Sequence, residues 1–413
     1  MATKKAAVSP QNKMLTTAVK KTINSNTVVP ILEDILFGPG YARVSDLETD
    51  VQIPYKLDGL GKSTVCIPAK MFLETAEMLP NMKATVDKNF GVEMQDGPRK
   101  AKLMGENPDN FPLEKMYTEK TVTVGTLTEA DLALLADAMS FVSDDDLRPA
   151  MTGVYFEAPV SGKESRIVST DAHRLFWHGM EGSLKETFIL PQKTAKILLA
   201  FGGGPWEVHK PADKSGEYIR LAFFREDGLK IAFRPIDAKF PDYRVVVPQG
   251  DGFVSLEADP EFMLKELKNA GKYANRSTNQ VCIGMNGKLT FSSQDVDFSF
   301  EYNSVFDNGD GGEFKFLKDF PTRYSLDGKE LLHVTKVNKD KINYMWQGAE
   351  FSVEKSKLVE LPKELTIAFN QKFLSEVIHK LPKGETVKFK FWTPTKATII
   401  NDYYLIMPLM MNQ

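Results

Sequence analysis

His173 stands two residues after Asp171, and an imidazole beside a carboxylate is a pairing that general acid–base chemistry uses. The run Asp144-Asp145-Asp146 is a second candidate for such work. A hydrolase built on either would also need a nucleophile or a set of metal ligands. The histidines are His173, His178, His209, His333 and His379, and none stands in His-x-x-x-His or His-Glu-x-x-His spacing. No Gly-x-Ser-x-Gly elbow and no Gly-x-x-x-x-Gly-Lys-Ser/Thr phosphate loop occurs. The loop Asp307-Asn308-Gly309-Asp310-Gly311-Gly312 fails as a calcium site, because Gly309 and Gly311 occupy positions that should be acidic. Asp171 and His173 are expected at a strand end, where residues two apart point the same way. A histidine that is buried or lines a cleft explains them without catalysis. The chain is therefore expected to be no enzyme, with no cofactor and no metal.

Composition agrees with an ordinary globular protein of 413 residues, 42% hydrophobic and 26% charged. That length suits two to four domains. No run of about 18 apolar residues suggests a membrane span, and the polar start Met1–Pro10 lacks the apolar core of a secretory signal. Cys66 and Cys282 stand alone in different halves of the chain, which fits two core thiols in a reducing cytoplasm. The net charge of −3 argues against a protein coated in nucleic acid, though it leaves room for a basic lane on one face.

The elements that must position these residues repeat along the chain. One signature is an apolar strand end, then Lys, then an apolar helix. It occurs as Ile67-Pro68-Ala69-Lys70-Met71-Phe72-Leu73, Leu190-Pro191-Gln192-Lys193-Thr194-Ala195-Lys196 and Phe369-Asn370-Gln371-Lys372-Phe373-Leu374. In two copies Pro is expected at the first helical position. A second signature is an amphipathic helix leading into a short strand. The helices are expected at Lys13–Asn24, Thr128–Ser143 and Pro260–Arg276, with strands at Pro30–Phe37, Pro149–Phe156 and Val281–Met285. Alternation predicts further strands at Asp295–Tyr302, Thr121–Val124, Tyr218–Phe224 and Thr386–Trp392. Each unit is α+β, two helices on antiparallel sheets. The offset between the first two lysines is 193 − 70 = 123 and between the last two 372 − 193 = 179, so the third unit carries 179 − 123 = 56 extra residues, expected at about 305–357.

Three segments complete the pattern: Ser169-Thr170-Asp171-Ala172-His173-Arg174-Leu175, Lys239-Phe240-Pro241-Asp242-Tyr243-Arg244 and Tyr404-Leu405-Ile406-Met407-Pro408. With the repeats, they make the chain resemble the bacterial β sliding clamp family, the β subunit of DNA polymerase III, over almost its whole length. The resemblance implies three clamp domains, at 1–125, 126–250 and 251–413 with the insertion. It implies a head-to-tail homodimeric ring around duplex DNA that acts as a processivity factor in the cytoplasm. Helices line the hole of such a ring, and flexible lysines hold phosphates without reading sequence.

The peptide-binding groove that the resemblance implies comprises Met151, Thr170, Ala172, His173, Arg174 and Leu175, then Pro241, Val245 and Val246, then Leu405, Ile406, Met407, Pro408, Leu409 and Met410. Its partners would be the replicative polymerase, the clamp loader and repair proteins, each through a short peptide with Leu or Phe anchors. The implied DNA contacts are Lys13, Lys20, Asn26, Arg148, Lys193, Lys196, Lys265, Lys268, Lys272, Arg276, Lys372 and Lys380. Of these, Lys265, Lys268, Lys272 and Arg276 form one helical stripe opposite the apolar face. Leu103, on an expected strand Lys100–Met104, and Tyr273 are the implied dimer contacts.

The chain departs from the family in several places. Ala172 replaces a glycine, Val245 replaces a basic residue, and Asn26 stands where a basic residue is common. Met411-Asn412-Gln413 extends the tail, and the second unit's first helix is acidic through Glu129, Asp131 and Asp137. These departures motivate an alternative, a clamp-derived interaction protein that binds peptides but does not encircle DNA.

Overall fold

The computed structural model describes residues 9–24, 27–112, 120–159, 164–212, 220–250, 252–295, 297–307, 313–317, 323–327, 329–331, 334–346, 349–361 and 364–410. Asn26, the tail Met411-Asn412-Gln413 and most of the loop Asp307–Gly312 lie outside the described residues. The fold is mixed α and β. Its α-helices are α1 (Pro10–Thr22), α2 (Ala69–Met78), α3 (Glu129–Ala138), α4 (Gln192–Phe201), α5 (Pro260–Gly271) and α6 (Gln371–His379).

Each helix falls where the apolar period places it, but three end earlier than the sequence suggests. α1 starts at Pro10, with the Ser9 side chain accepting from Asn12 N at 3.2 Å, and stops at Thr22 rather than Asn24. α3 stops at Ala138, and Met139–Phe141 tightens into a 3₁₀ turn. α5 stops at Gly271, so Lys272 is its cap and Arg276 lies beyond the helix. Past α3 and α5 the chain still buries apolar side chains, Phe141 and Ala274, so the apolar period runs on after the helix has ended. Pro68 and Pro191 are N-caps, not first helical residues, because each still closes the preceding strand. Proline does open α1 and α5, where its missing N–H costs nothing.

The chain forms two compact units, Met1–Asp171 with Trp177–Pro241, and Ala172–Phe176 with Asp242–Gln413. In the first unit an antiparallel sheet runs in the order Val65–Pro68, Asp34–Gly38, Tyr41–Ser45, Thr49–Pro54, Lys230–Phe233, Leu221–Arg225, Trp206–Pro211, Thr121–Leu127. Its middle seam pairs Val51 with Ile231 and Gln52 with Lys230, which joins strands nearly 180 residues apart, 231 − 51 = 180. α1 packs on α4 beside this seam. There Thr49 Oγ1 and Thr194 Oγ1 share a buried hydrogen bond of 2.8 Å. Trp206, Phe72, Phe156, Phe223 and Phe233 are fully buried in this unit.

In the second unit one sheet orders Phe300–Asp307, Lys288–Asp295, Gln280–Met285 and Leu365–Asn370. The expected single strand Asp295–Tyr302 is in fact the tip of a hairpin. Asp295 pairs with Phe300, and Ser299 takes a φ of 56° to turn the chain between them. Alternation continues through a tight turn, so the sequence alone hides the break. A further set of paired strands comprises Val254–Ala258, Phe314–Phe316, Val387–Phe391, Thr398–Ile400 and Tyr404–Ile406.

The stretch expected to hold the extra residues contains two small sheets. One orders Lys329–Glu330, Arg323–Leu326 and Val359–Leu361, and the other Val334–Val337, Lys341–Trp346 and Ala349–Glu354. Tyr324, Leu331 and Ile342 give them an apolar cluster of their own, with Leu326, Val334, Tyr344, Val353 and Leu358 packed against it.

Candidate functional site

Asp171, Ala172 and His173 form the turn between the strands Arg166–Thr170 and Arg174–Gly179, so the two-residue alternation expected for Asp171 and His173 does not apply. Ala172 holds a φ of 71°, a left-handed conformation that glycine takes without strain and alanine does not. From the turn the chain enters the second unit as a strand: Arg174 pairs with Ile406, Leu175 with Leu405 and Phe176 with Tyr404. Met407 N then donates to His173 O at 2.8 Å, and Leu409 N to Ala368 O at 2.7 Å. These bonds bring the chain end alongside the His-Arg-Leu segment and the strand that leads into α6.

The first turn of α6 completes the arrangement. Asn370 Oδ1 accepts from Lys372 N at 3.0 Å and from Phe373 N at 3.3 Å, fixing where Phe373 projects. The Arg174 guanidinium lies 4.4 Å from the Phe373 ring centroid, and the His173 ring stacks on the same phenyl at 5.7 Å. Arg174 also makes an ion pair with Glu376, one turn further along α6. An arginine held between an aromatic face and a carboxylate is rigid and mostly desolvated, and Arg174 is only 7% exposed. Neither Phe373 nor Glu376 is among the groove residues expected from the sequence. At the matching positions of the other copies, counted from the repeated lysine, stand Met71 and Glu74, then Thr194 and Ile197. An aromatic at that place in the third copy alone was the available signal.

The expected groove residues separate by exposure. Val245 (81%), Val246 (48%) and Met410 (77%) are exposed, and Met407, Pro408 and Leu409 are half-buried. Leu175, Leu405 and Ile406, at 2%, 1% and 0%, are core side chains of the strand pair and present no surface. Val245 closes a 3₁₀ turn, Tyr243–Val245, capped by the Asp242 side chain on Arg244 N at 3.2 Å. Met151, Thr170 and Pro241 belong to the first unit. Met151 O accepts from Ser143 N at 2.9 Å, Thr170 is buried at the strand end, and Phe240, just before Pro241, stacks on Tyr155 at 4.5 Å.

The basic residues also separate. Lys13, Lys20, Lys196, Lys265, Lys268, Lys272, Arg276 and Lys372 are exposed, and Lys380 is half-buried. Lys193 is engaged inside the first unit: its ammonium donates to Thr22 O at 2.8 Å and Asn24 Oδ1 at 2.9 Å and pairs with Asp46. Arg148 pairs with Asp145 at 3.3 Å. Lys265 and Lys268 face a recess of about 390 Å³ between α5 and α6, shared with Gln371, Ser375 and His379.

The acid that most troubled a phosphate-binding helix is accounted for. Asp131 is buried and closes the capping box of α3 with Thr128. Its carboxylate also accepts from Glu181 N and Gly182 N, each at 2.9 Å. Gly182 is needed there, because a Cβ would fall 2.1 Å from Thr126 O and 2.7 Å from Asp131 Oδ2.

Neither cysteine is poised for chemistry. Burial, then the charges of Asp34 and Glu106, pushes the Cys66 thiol up to about 12, and burial raises that of Cys282. Among the described residues no group of three or more His, Cys, Asp and Glu is arranged to hold a metal ion. Nor is any helix among them long and apolar enough to cross a membrane.

No family model matches the sequence. Curated relatives do. The β sliding clamp of Rickettsia felis is 22% identical over 335 residues, 75% of this chain and 87% of that protein. The β sliding clamp of Escherichia coli K12 is 24% identical over 323 residues, 70% of this chain and 85% of that protein. Among solved structures, the Pseudomonas aeruginosa sliding clamp bound to griselimycin superposes with a TM-score of 0.71 at 17% identity, covering 97% of both chains. The β subunit of the Streptococcus pyogenes DNA polymerase also gives 0.71 at 17%, again over 97% of both chains. The architecture is that of a sliding clamp. The curated relatives are β sliding clamps, and the chain is similar to them over about three quarters of its length or less.

Proposed function

We propose that the chain is a DNA sliding clamp, a non-catalytic processivity subunit that encircles duplex DNA and tethers a polymerase to it. The observation that carries this reading is the match of fold over 97% of the chain to clamps that are themselves matched over 97% of their length. Three domains, at about 1–125, 126–250 and 251–413, would supply half of a ring, and a second copy the other half. Each copy has one candidate edge for that contact at either end. The strand Arg99–Met104 ends its sheet with Arg99, Lys100 and Lys102 exposed and Leu103 half-buried. The strand Phe300–Asp307 ends its own with Glu301 and Asp307 exposed and with Phe300 and Val305 each 52% exposed. Tyr273, 40% exposed, stacks on Tyr302 of that strand. Two edge strands with no further strand beside them among the described residues, one with exposed basic and one with exposed acidic side chains, suit head-to-tail pairing of two copies. The lysines of α1, α4, α5 and α6 would hold phosphates, with Lys193 contributing least because of its internal ion pair.

The ring is tested by light scattering of the protein alone, then by retention on nicked circular and linearised duplex. A two-chain particle kept on circles and lost from linear ends is the expected result. A monomer, or binding indifferent to free ends, sinks the reading.

The groove would take short peptides with Leu or Phe anchors from the polymerase, the clamp loader and repair proteins, in the cytoplasm. Phe373 is its expected aromatic anchor point. Phe373→Ala should weaken such a peptide by about 2 kcal/mol, roughly thirtyfold, as hot-spot truncations do. Calorimetry with a polymerase tail peptide reads it, and an unchanged affinity removes Phe373 from the groove.

A further inference from the structure

We infer that the inserted sheet of Val334–Val337, Lys341–Trp346 and Ala349–Glu354, with the turn that follows it, carries a separate polyanion-binding surface, built by Lys336, Lys339, Lys341, Lys355 and Lys357 and fitted to the phosphate backbone of duplex DNA. The strands Val334–Val337 and Lys341–Trp346 are joined by a hairpin turn, which puts Lys336, Lys339 and Lys341 at one end of their sheet. The third strand, Ala349–Glu354, pairs antiparallel with Lys341–Trp346, and Lys341 registers with Glu354. The 3₁₀ turn Lys355–Lys357 follows directly, so it emerges at that same end. Lys355 N donates to Asp340 O at 2.9 Å and ties the two turns together.

Four of the five lysines are exposed, and Lys355 is half-buried. Among the described residues none has a carboxylate within ion-pairing distance. The acids at this end are Asp340 and Glu354, and Glu350 lies at the other end of its strand, opposite Met345. A local cationic surplus on a chain of net charge −3 is placed, not average. The apolar cluster of the insertion uses Ile342, Tyr344 and Val353, which leaves this end of the sheet to its ammonium groups.

The residue type selects the partner. No arginine lies in the cluster, so the planar fork that grips a carboxylate in two bonds is absent. Compact ammonium charges on flexible stems suit sequence-blind contact with phosphates, which a sliding protein can make and break. This inference rests on the clamp reading in one respect, that a threaded duplex would supply DNA at high local concentration.

The test uses the full chain with Lys339→Glu, Lys355→Glu and Lys357→Glu combined, and a matching triple Gln variant. Fluorescence anisotropy with a short linear duplex, which cannot be retained topologically, is followed across salt. The Glu variant is expected to bind at least about tenfold more weakly at low salt. Its slope of log affinity against log salt should be shallower by about 2.7, three contacts at about 0.9 each. The Gln variant should show the same loss of slope with a smaller loss of affinity, and it decides the matter if the Glu variant misfolds by circular dichroism. Unchanged affinity and slope overturn the inference, as does an unsubstituted protein that does not bind the short duplex at all. Binding of a polyglutamate probe with no effect on duplex also overturns it, in favour of an acidic protein partner. Retention on nicked circles is scored separately. If circles are not retained but the substitutions still weaken short-duplex binding, the clamp reading fails and this one stands.

Discussion

Asp50→Ala should destabilise the first unit by about 3–5 kcal/mol, the range for removing one partner of a buried ion pair. Arg43 and Asp50 face each other on adjacent strands through two parallel bonds, Nε to Oδ1 and Nη2 to Oδ2, both 2.8 Å. Their side chains are 4% and 2% exposed. The substitution takes away the carboxylate and leaves the guanidinium in a place that water cannot reach. Urea unfolding at neutral pH reads the effect. The double variant Arg43→Met with Asp50→Leu removes both charges and should lose far less, since an apolar pair of similar volume replaces the ions. If the single and double variants cost the same, the penalty comes from packing and the buried charge is not its cause.

Asp34 should make stability fall as pH rises towards neutrality. Its carboxyl is 5% exposed, and its Oδ2 has no hydrogen-bond partner among the described residues. Burial first, then the charges of Glu106 and Glu33, pushes it up to about 7 from an ordinary 3.8. The folded protein therefore holds this proton more tightly than the unfolded chain does. Between pH 4 and 7 the native state carries the extra proton, so unfolding is hardest at the acid end and eases as pH rises. Above pH 7 the full penalty is on the order of 4 kcal/mol, about three pKa units at 1.36 kcal/mol each. Asp34→Asn should recover much of this at pH 8 and almost none at pH 4. Denaturant midpoints at the two pH values check it, and a gain that is equal at both removes the titration from the explanation.

The helices could be read from the sequence because an apolar stripe repeats every three or four residues and has to be buried. Their ends could not, since the apolar period runs on past Gly271 to Ala274, which is buried outside the helix. The hairpin at Ser299 escaped notice because alternation is blind to a turn that preserves it. The motif segments around His173 and the chain end were legible as chemistry and as family resemblance. What surrounds Arg174 was not: its ion-pair partner Glu376 is 202 residues away, and no local pattern links them. Nor does any pattern announce that Lys193 would turn inward to Asp46, or that Asp131 would close a cap. Both look like ordinary surface charges until the backbone amides and carbonyls around them are known.

The strand pairing of Thr49–Pro54 with Lys230–Phe233 has a mechanical meaning. A continuous ladder of backbone hydrogen bonds is stiff in its own plane, and here it is pinned from the side by the Thr49–Thr194 hydroxyls and by Lys193 on Asp46. Those parts of the chain must deform as one elastic plate. In a ring that has to open to admit DNA, such a plate stores little of the bending. If two copies close a ring through the two charged edges, as proposed, the compliance would concentrate there, and ionic strength would be the natural control on how readily the ring springs open.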